Sequence, residues 1–163
     1  MHALMLGRLI FTHLLLACLA GCAANRMADP SAYGNLLAAP VPVQENGIAA
    51  DAATRLIASY PPARTRCALQ HAAQDGFGSE LLKRLRSQCY AIGEFSSQTQ
   101  AAAPPLPPAA GATPLRYVLD MAAEPDLVRL TLYAGSESLT RAYLLQGGAA
   151  RPASAWIRRE AAP

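Results

Sequence analysis

Apolar side chains recur every fourth position at Ile48, Ala52, Leu56 and Tyr60, a spacing that places them on one face of a helix with Arg55 turned away. Asn46 stands where a helix N-cap is expected, and Pro61-Pro62 ends the helix because neither proline supplies an amide hydrogen. The period then changes to two: Thr65, Cys67, Leu69 and His71 alternate with Arg64, Arg66, Ala68 and Gln70, the mark of a half-buried strand. Asp75 is placed to cap a second helix, whose apolar face is Phe77, Leu81 and Leu85 and whose Lys83, Arg84 and Arg86 stay in water. YAIGEF at 90–95 reads as the next strand, and a short strand–helix–strand connection favours a right-handed parallel crossover.

Residues 96–114 break both periods: the span contains five prolines and no charge, which predicts a Pro/Ala-rich insertion. Its length costs little, because loop-closure entropy grows only logarithmically. The last third is a run of strands, LRYVLDMAA, DLVRLTLYA, SLTRAYLLQ and ASAWIRRE, separated by the turn-rich AEPD, AGSES and GGAARP. Leu115, Tyr117, Leu119 and Met121 fall on one side of the first of them. The order helix, strand, helix, strand and then a meander predicts an α+β domain over 46–160, with two helices packed on a mainly antiparallel sheet of about six strands.

Composition changes the picture at the N-terminus. The chain of 163 residues is 52% hydrophobic yet only 15% charged, below the ~25% charged residues of an average soluble domain. Part of the apolar total therefore lies outside the core. Residues 1–21 run from a weakly basic start through an apolar stretch to small residues, the organisation of a signal peptide. No run reaches the 18 or so apolar residues of a membrane-spanning helix. Leu19-Ala20-Gly21-Cys22 resembles the bacterial lipobox, in which the cysteine is acylated and the leader is cut before it. The resemblance implies a lipid anchor at Cys22 and a membrane-attached mature chain, and the Pro, Gly, Ala and Asn that interrupt every period up to Glu45 predict a flexible tether over 22–45. Ala23, rather than aspartate, follows the cysteine, which by the sorting rule for such lipoproteins implies the outer membrane, facing the periplasm. Cys67 and Cys89 remain for an oxidising compartment; a disulfide between them and two separate thiols are equally compatible with the sequence.

Candidate chemistry is sparse. His2 and His13 belong to the leader, so His71 is the one imidazole of the mature chain, with no metal-spaced cysteine pair and no Gly-rich phosphate loop. Gly135-Ser136-Glu137 lacks the second glycine of a nucleophile elbow. These features predict no enzyme, no metal and no cofactor. A formal charge of +3 with scattered arginines predicts no direct contact with nucleic acid. What remains is surface: Arg129, Thr131 and Tyr133 alternate on one strand, Arg141 and Tyr143 on the next, and Trp156 and Arg158 on the last. Grouped on one sheet face they suit a protein interface, and they equally suit a solvated face stiffened by cross-strand pairs.

Taken together, Tyr60-Pro61-Pro62-Ala63, FGSELLKRLR at 77–86, YAIGEF at 90–95, LRYVLD at 115–120, SLTRAYLLQGG at 138–148 and WIRRE at 156–160 resemble the TrbH family of conjugal-transfer lipoproteins. Cys67 and Cys89 depart from the family pattern. The resemblance implies an outer-membrane lipoprotein that serves as a structural or accessory subunit of a conjugative type IV secretion (mating-pair formation) apparatus, with other secretion-channel envelope proteins as partners. The alternative reading is a periplasmic lipoprotein module that binds an apolar or cell-wall ligand.

Overall fold

In a computed structural model of the chain, residues 32–38, 42–95 and 110–160 are described. The expected leader, the expected acylation site Cys22, most of the expected tether and residues 96–109 of the insertion lie outside them.

Ile48, Ala52 and Leu56 fulfil the four-residue spacing on α1 (Pro42–Ser59), where all three are buried. The helix starts four residues ahead of the expected Asn46 cap. Proline is tolerated in a first turn, where its missing N–H would have no intrahelical acceptor. The extra turn carries Glu45 inward, where it is 1% exposed and accepts a hydrogen bond from Asn35 Nδ2 at 3.0 Å. Asn35 belongs to β1 (Gly34–Asn35), a short strand within the stretch expected to be tether. Here the two readings differ because the segment has a partner: it pairs in parallel with Val118 and Leu119, and Leu36 N–H donates to the Leu119 carbonyl at 2.8 Å.

After a 3-10 turn at Pro62–Arg64, β2 (Arg66–Leu69) runs along the sheet with Cys67 and Leu69 inward. Asp75 caps α2 (Gly76–Ser87), its Oδ1 accepting from Gly78 N–H at 2.8 Å. Phe77, Leu81 and Leu85 form the buried face as the spacing predicts. The helix closes with the Tyr90 amide on the Leu85 carbonyl and the Cys89 amide on that of Arg86. This paired closure places Cys89 at φ 63, a conformation that glycine adopts more readily. Cys67 and Cys89 are unbridged: the first is a buried thiol whose pKa burial pushes up to about 11, and the second is exposed.

The remaining strands are β3 (Ala91–Gly93), β4 (Ala112–Met121), β5 (Leu127–Ala134), β6 (Glu137–Gln146), β7 (Ala149–Pro152) and β8 (Ile157–Glu160). The sheet order is β3-β2-β4-β5-β6-β7, with β1 continuing β2 along β4 and β8 sharing the outer edge of β6 with β7. β3, β2 and β4 are parallel, in keeping with the crossover expectation, and the rest of the path is antiparallel. Eight strands replace the expected six. The additions are β1 and β7, the latter formed from a segment read as a turn.

Both helices pack on one sheet face. Its core is Leu115, Tyr117 and Leu119 of β4, Val128, Leu130 and Leu132 of β5, and Leu139 and Tyr143 of β6, all at 0–1% exposure. Burial of each such side chain contributes about 1.5–3 kcal/mol. Met121, expected on the same face, stands at the strand end and is 48% exposed. Polar struts cross the core where helix meets sheet. Tyr117 donates to Asp75, Tyr143 to Asp51, and the Tyr60 hydroxyl contacts both Glu137 and the Ala134 carbonyl.

A basic sheet face as the candidate interaction surface

The two-residue turn Gly135-Ser136 pairs Ala134 with Glu137. Odd-numbered positions of β5 therefore share a face with even-numbered positions of β6. The face turned away from the helices is consequently a grid across four strands. One row reads Arg116, Tyr133, Ser138, Arg159; the next reads Val118, Thr131, Thr140, Ile157; a third begins Asp120, Arg129, Ala142. The middle row is entirely β-branched and shorter than the Arg116, Tyr133, Arg129 and Arg159 side chains beside it. It floors a groove of about 470 Å³ that also takes in Asp120, Arg129, Tyr133, Ser138 and Arg159.

Side chains across this face are held by specific contacts. Arg129 grips Asp120 through both guanidinium arms, at 3.1 and 2.5 Å. Arg116 donates to the Tyr33 hydroxyl at 3.0 Å and lies over the Tyr33 and Tyr133 rings at 4.8 and 5.7 Å. Thr131 and Thr140 join hydroxyls at 3.3 Å. The same pairing rule places Arg66 and Arg151 on this face, so its described strands present five arginines against one carboxylate, Asp120.

The expected interface set divides between two faces. Arg129 and Tyr133 lie on the open face. Arg141, opposite Leu130, and Tyr143, opposite Val128, lie on the helix face. Tyr143 is 1% exposed with its hydroxyl on Asp51 at 2.6 Å, which removes it from any surface. Trp156 precedes β8 and packs against the core beneath Arg141, whose guanidinium is 5.8 Å from its ring. Arg158 turns toward the helices and pairs with Glu137, while its neighbour Arg159 faces the groove. The single common face expected from alternation fails because alternation fixes parity within a strand, whereas the turns fix it between strands. Arg116, Thr140, Ile157 and Arg159 were not singled out by the sequence; the available signal was the count of residues in the AGSES turn.

On the opposite side of β4, His71 is 1% exposed, and neither ring nitrogen has a hydrogen-bond partner among the described residues. Its ring meets Tyr117 edge-on at 4.5 Å and Tyr33 at 5.9 Å. Burial pushes its pKa down to about 4, opposed by Asp75 and assisted by Arg116. Burial thus favours the uncharged imidazole at neutral pH. Because the unfolded chain takes up this proton near pH 6.5 and the folded chain only near 4, stability falls as pH drops through that window. His71→Leu should therefore flatten the dependence by up to about 3 kcal/mol. Urea unfolding midpoints at pH 7 and 4.5 measure it; equal slopes in both proteins would contradict the buried neutral ring. Among the described residues no group of three or more His, Cys, Asp or Glu could hold a metal ion.

The family model "Conjugal transfer protein TrbH" matches residues 30–160. The chain belongs to the TrbH family. The match runs from just before β1 to the end of β8, so it covers the whole described domain, open face included. TrbH proteins are conjugal-transfer components related to type IV secretion, a structural or accessory family not known for enzymatic activity. No curated protein and no solved structure matches the chain.

Proposed function

We propose that this TrbH-family chain is an outer-membrane lipoprotein, anchored through acylated Cys22 and facing the periplasm. It acts as a structural or accessory subunit of the conjugative secretion apparatus. The observation that carries this reading is a sheet with one face packed on the helices and the other, among the described residues, open, basic and grooved, within a domain that the family model covers from end to end. Such a face suits docking of other envelope proteins. The lipid holds it beside them at high local concentration, a gain that reaches about 100-fold or more in tethered systems.

Cys22→Ser should abolish acylation and leader processing, release the protein from membrane fractions and lower plasmid transfer by about tenfold or more. Metabolic labelling with a radioactive fatty acid, fractionation and a mating assay read the three effects. Normal transfer by a non-acylated protein would refute the anchored-subunit reading. The groove volume, about 470 Å³, also falls within the range of small-ligand sites. A binding module for an apolar or cell-wall ligand would instead purify with lipid or glycan bound.

A further inference from the structure

We propose that the cross-strand groove of the open face binds a short, extended, acidic peptide segment of an envelope partner. The floor, Val118, Thr131, Thr140 and Ile157, crosses four strands. At about 4.8 Å per strand step this is roughly 14 Å, the length of about four extended residues. Bare β-branched side chains make the floor low and stiff. Thr131, Thr140 and Ser138 bring hydroxyls into the groove lining, the two threonines paired with each other at 3.3 Å, and each hydroxyl can both donate and accept. Arg159 is exposed at one end, and Arg129 stands at the wall with Asp120 fixing its guanidinium plane. Planar guanidinium groups recognise carboxylates through paired hydrogen bonds.

Charge selects among the occupants. Five arginines against Asp120 oppose a second copy of the same face by like-charge repulsion. The chain's own residues 96–109 carry no charge and gain nothing from the arginines. Single-stranded nucleic acid would use aromatic platforms for its bases. The groove offers only Tyr133, whose ring already lies beside the Arg116 guanidinium. An acidic peptide suits the two arginines that line the groove, Arg159 and the Asp120-paired Arg129, the three further arginines of the same face, and the hydroxyl-bearing floor.

This inference rests on the docking role proposed above, and its experiment separates the two. The full acylated chain in detergent is titrated against a fluorescein-labelled octapeptide of alternating Asp and Ser, its Asn counterpart, and a labelled oligo-dT. The Asp peptide is expected to bind, to weaken with added salt, and to lose about tenfold affinity in Arg159→Glu and in Thr140→Phe, which fills the floor. Both positions are on the open face, and unchanged unfolding midpoints would assign the loss to the groove. Equal binding of the Asn peptide, tighter binding of oligo-dT, or an Asp-peptide affinity that rises when 96–109 is deleted would each overturn the proposal. Self-association abolished by Arg159→Glu would overturn it also. If Arg159→Glu loses the peptide but conjugates normally, the docking role fails and the groove stands. If the peptide never binds while Cys22→Ser still impairs transfer, the groove fails and the docking role stands.

Discussion

Gly78→Ala should destabilise the domain by about 3 kcal/mol, although the change adds a single methyl group. A Cβ at Gly78 would lie 2.1 Å from the Tyr117 hydroxyl oxygen and 2.8 Å from the Ala73 methyl. Tyr117 cannot retreat. Its side chain is fully buried, its ring is edge-on to Phe77 at 4.9 Å and His71 at 4.5 Å, and its hydroxyl donates to Asp75 Oδ2 at 2.5 Å. The same carboxylate caps α2 through its other oxygen, so displacing Tyr117 disturbs the helix start as well. Tyr117→Phe removes the clashing oxygen and should cost about 1 kcal/mol alone. In the double variant the losses should fall short of their sum by about 1 kcal/mol or more, because the steric conflict is partly gone. Urea unfolding of the four proteins in the cycle provides the measurement. Strictly additive losses would mean that the tyrosine does not wedge against the helix.

Long elements with a repeating pattern were legible in the sequence for a physical reason: one buried face imposes one period. The Phe77, Leu81, Leu85 stripe and the Leu115, Tyr117, Leu119 alternation each follow from that alone, and the Asp75 cap from a local need, an acceptor for a free N–H of the first turn. What escaped depends on pairing between distant segments. β1 is two residues long and contains a glycine, so it has no period to read, and only its bonds to β4 make it a strand. The first turn of α1 escaped because Asn46 offers a sufficient cap signal, while the helix draws its true start from a proline and from the buried Glu45 beside β1. The open face escaped for a third reason. Arg66, Arg116, Arg129, Arg151 and Arg159 are ordinary surface arginines in sequence, scattered among Ala, Val and Leu, and become one surface only when the strand register is set. The family segments, by contrast, lie within the matched residues 30–160, whereas Cys22 lies before them.

Two arginine–aspartate pairs on opposite faces of the sheet should respond differently to loss of the carboxylate, and this difference tests the division of labour between the faces. Asp51, on α1, receives Arg141 Nη1 at 3.0 and 2.8 Å on its two oxygens and the Tyr143 hydroxyl at 2.6 Å. Arg141 is held further by the Ser154 carbonyl at 2.9 Å and lies 5.8–5.9 Å from the rings of Trp156 and Tyr143. The pair is largely withdrawn from water, with side-chain exposures of 19% and 29%. Asp51→Ala would strand a buried hydroxyl and a half-buried guanidinium together, at a cost of about 2–3 kcal/mol, only slightly offset by the better helix propensity of alanine. Asp120→Ala removes an equally well-aligned partner from Arg129, but that guanidinium is 51% exposed and water replaces the carboxylate. Its cost should stay within about 1 kcal/mol. Tyr143→Phe in the Asp51→Ala background should recover part of the loss, because the stranded hydroxyl is then absent. Thermal unfolding of these variants decides the matter. A similar loss for Asp51→Ala and Asp120→Ala would contradict the assignment of Arg141 to the buried framework of the domain and of Arg129 to its solvent-facing side.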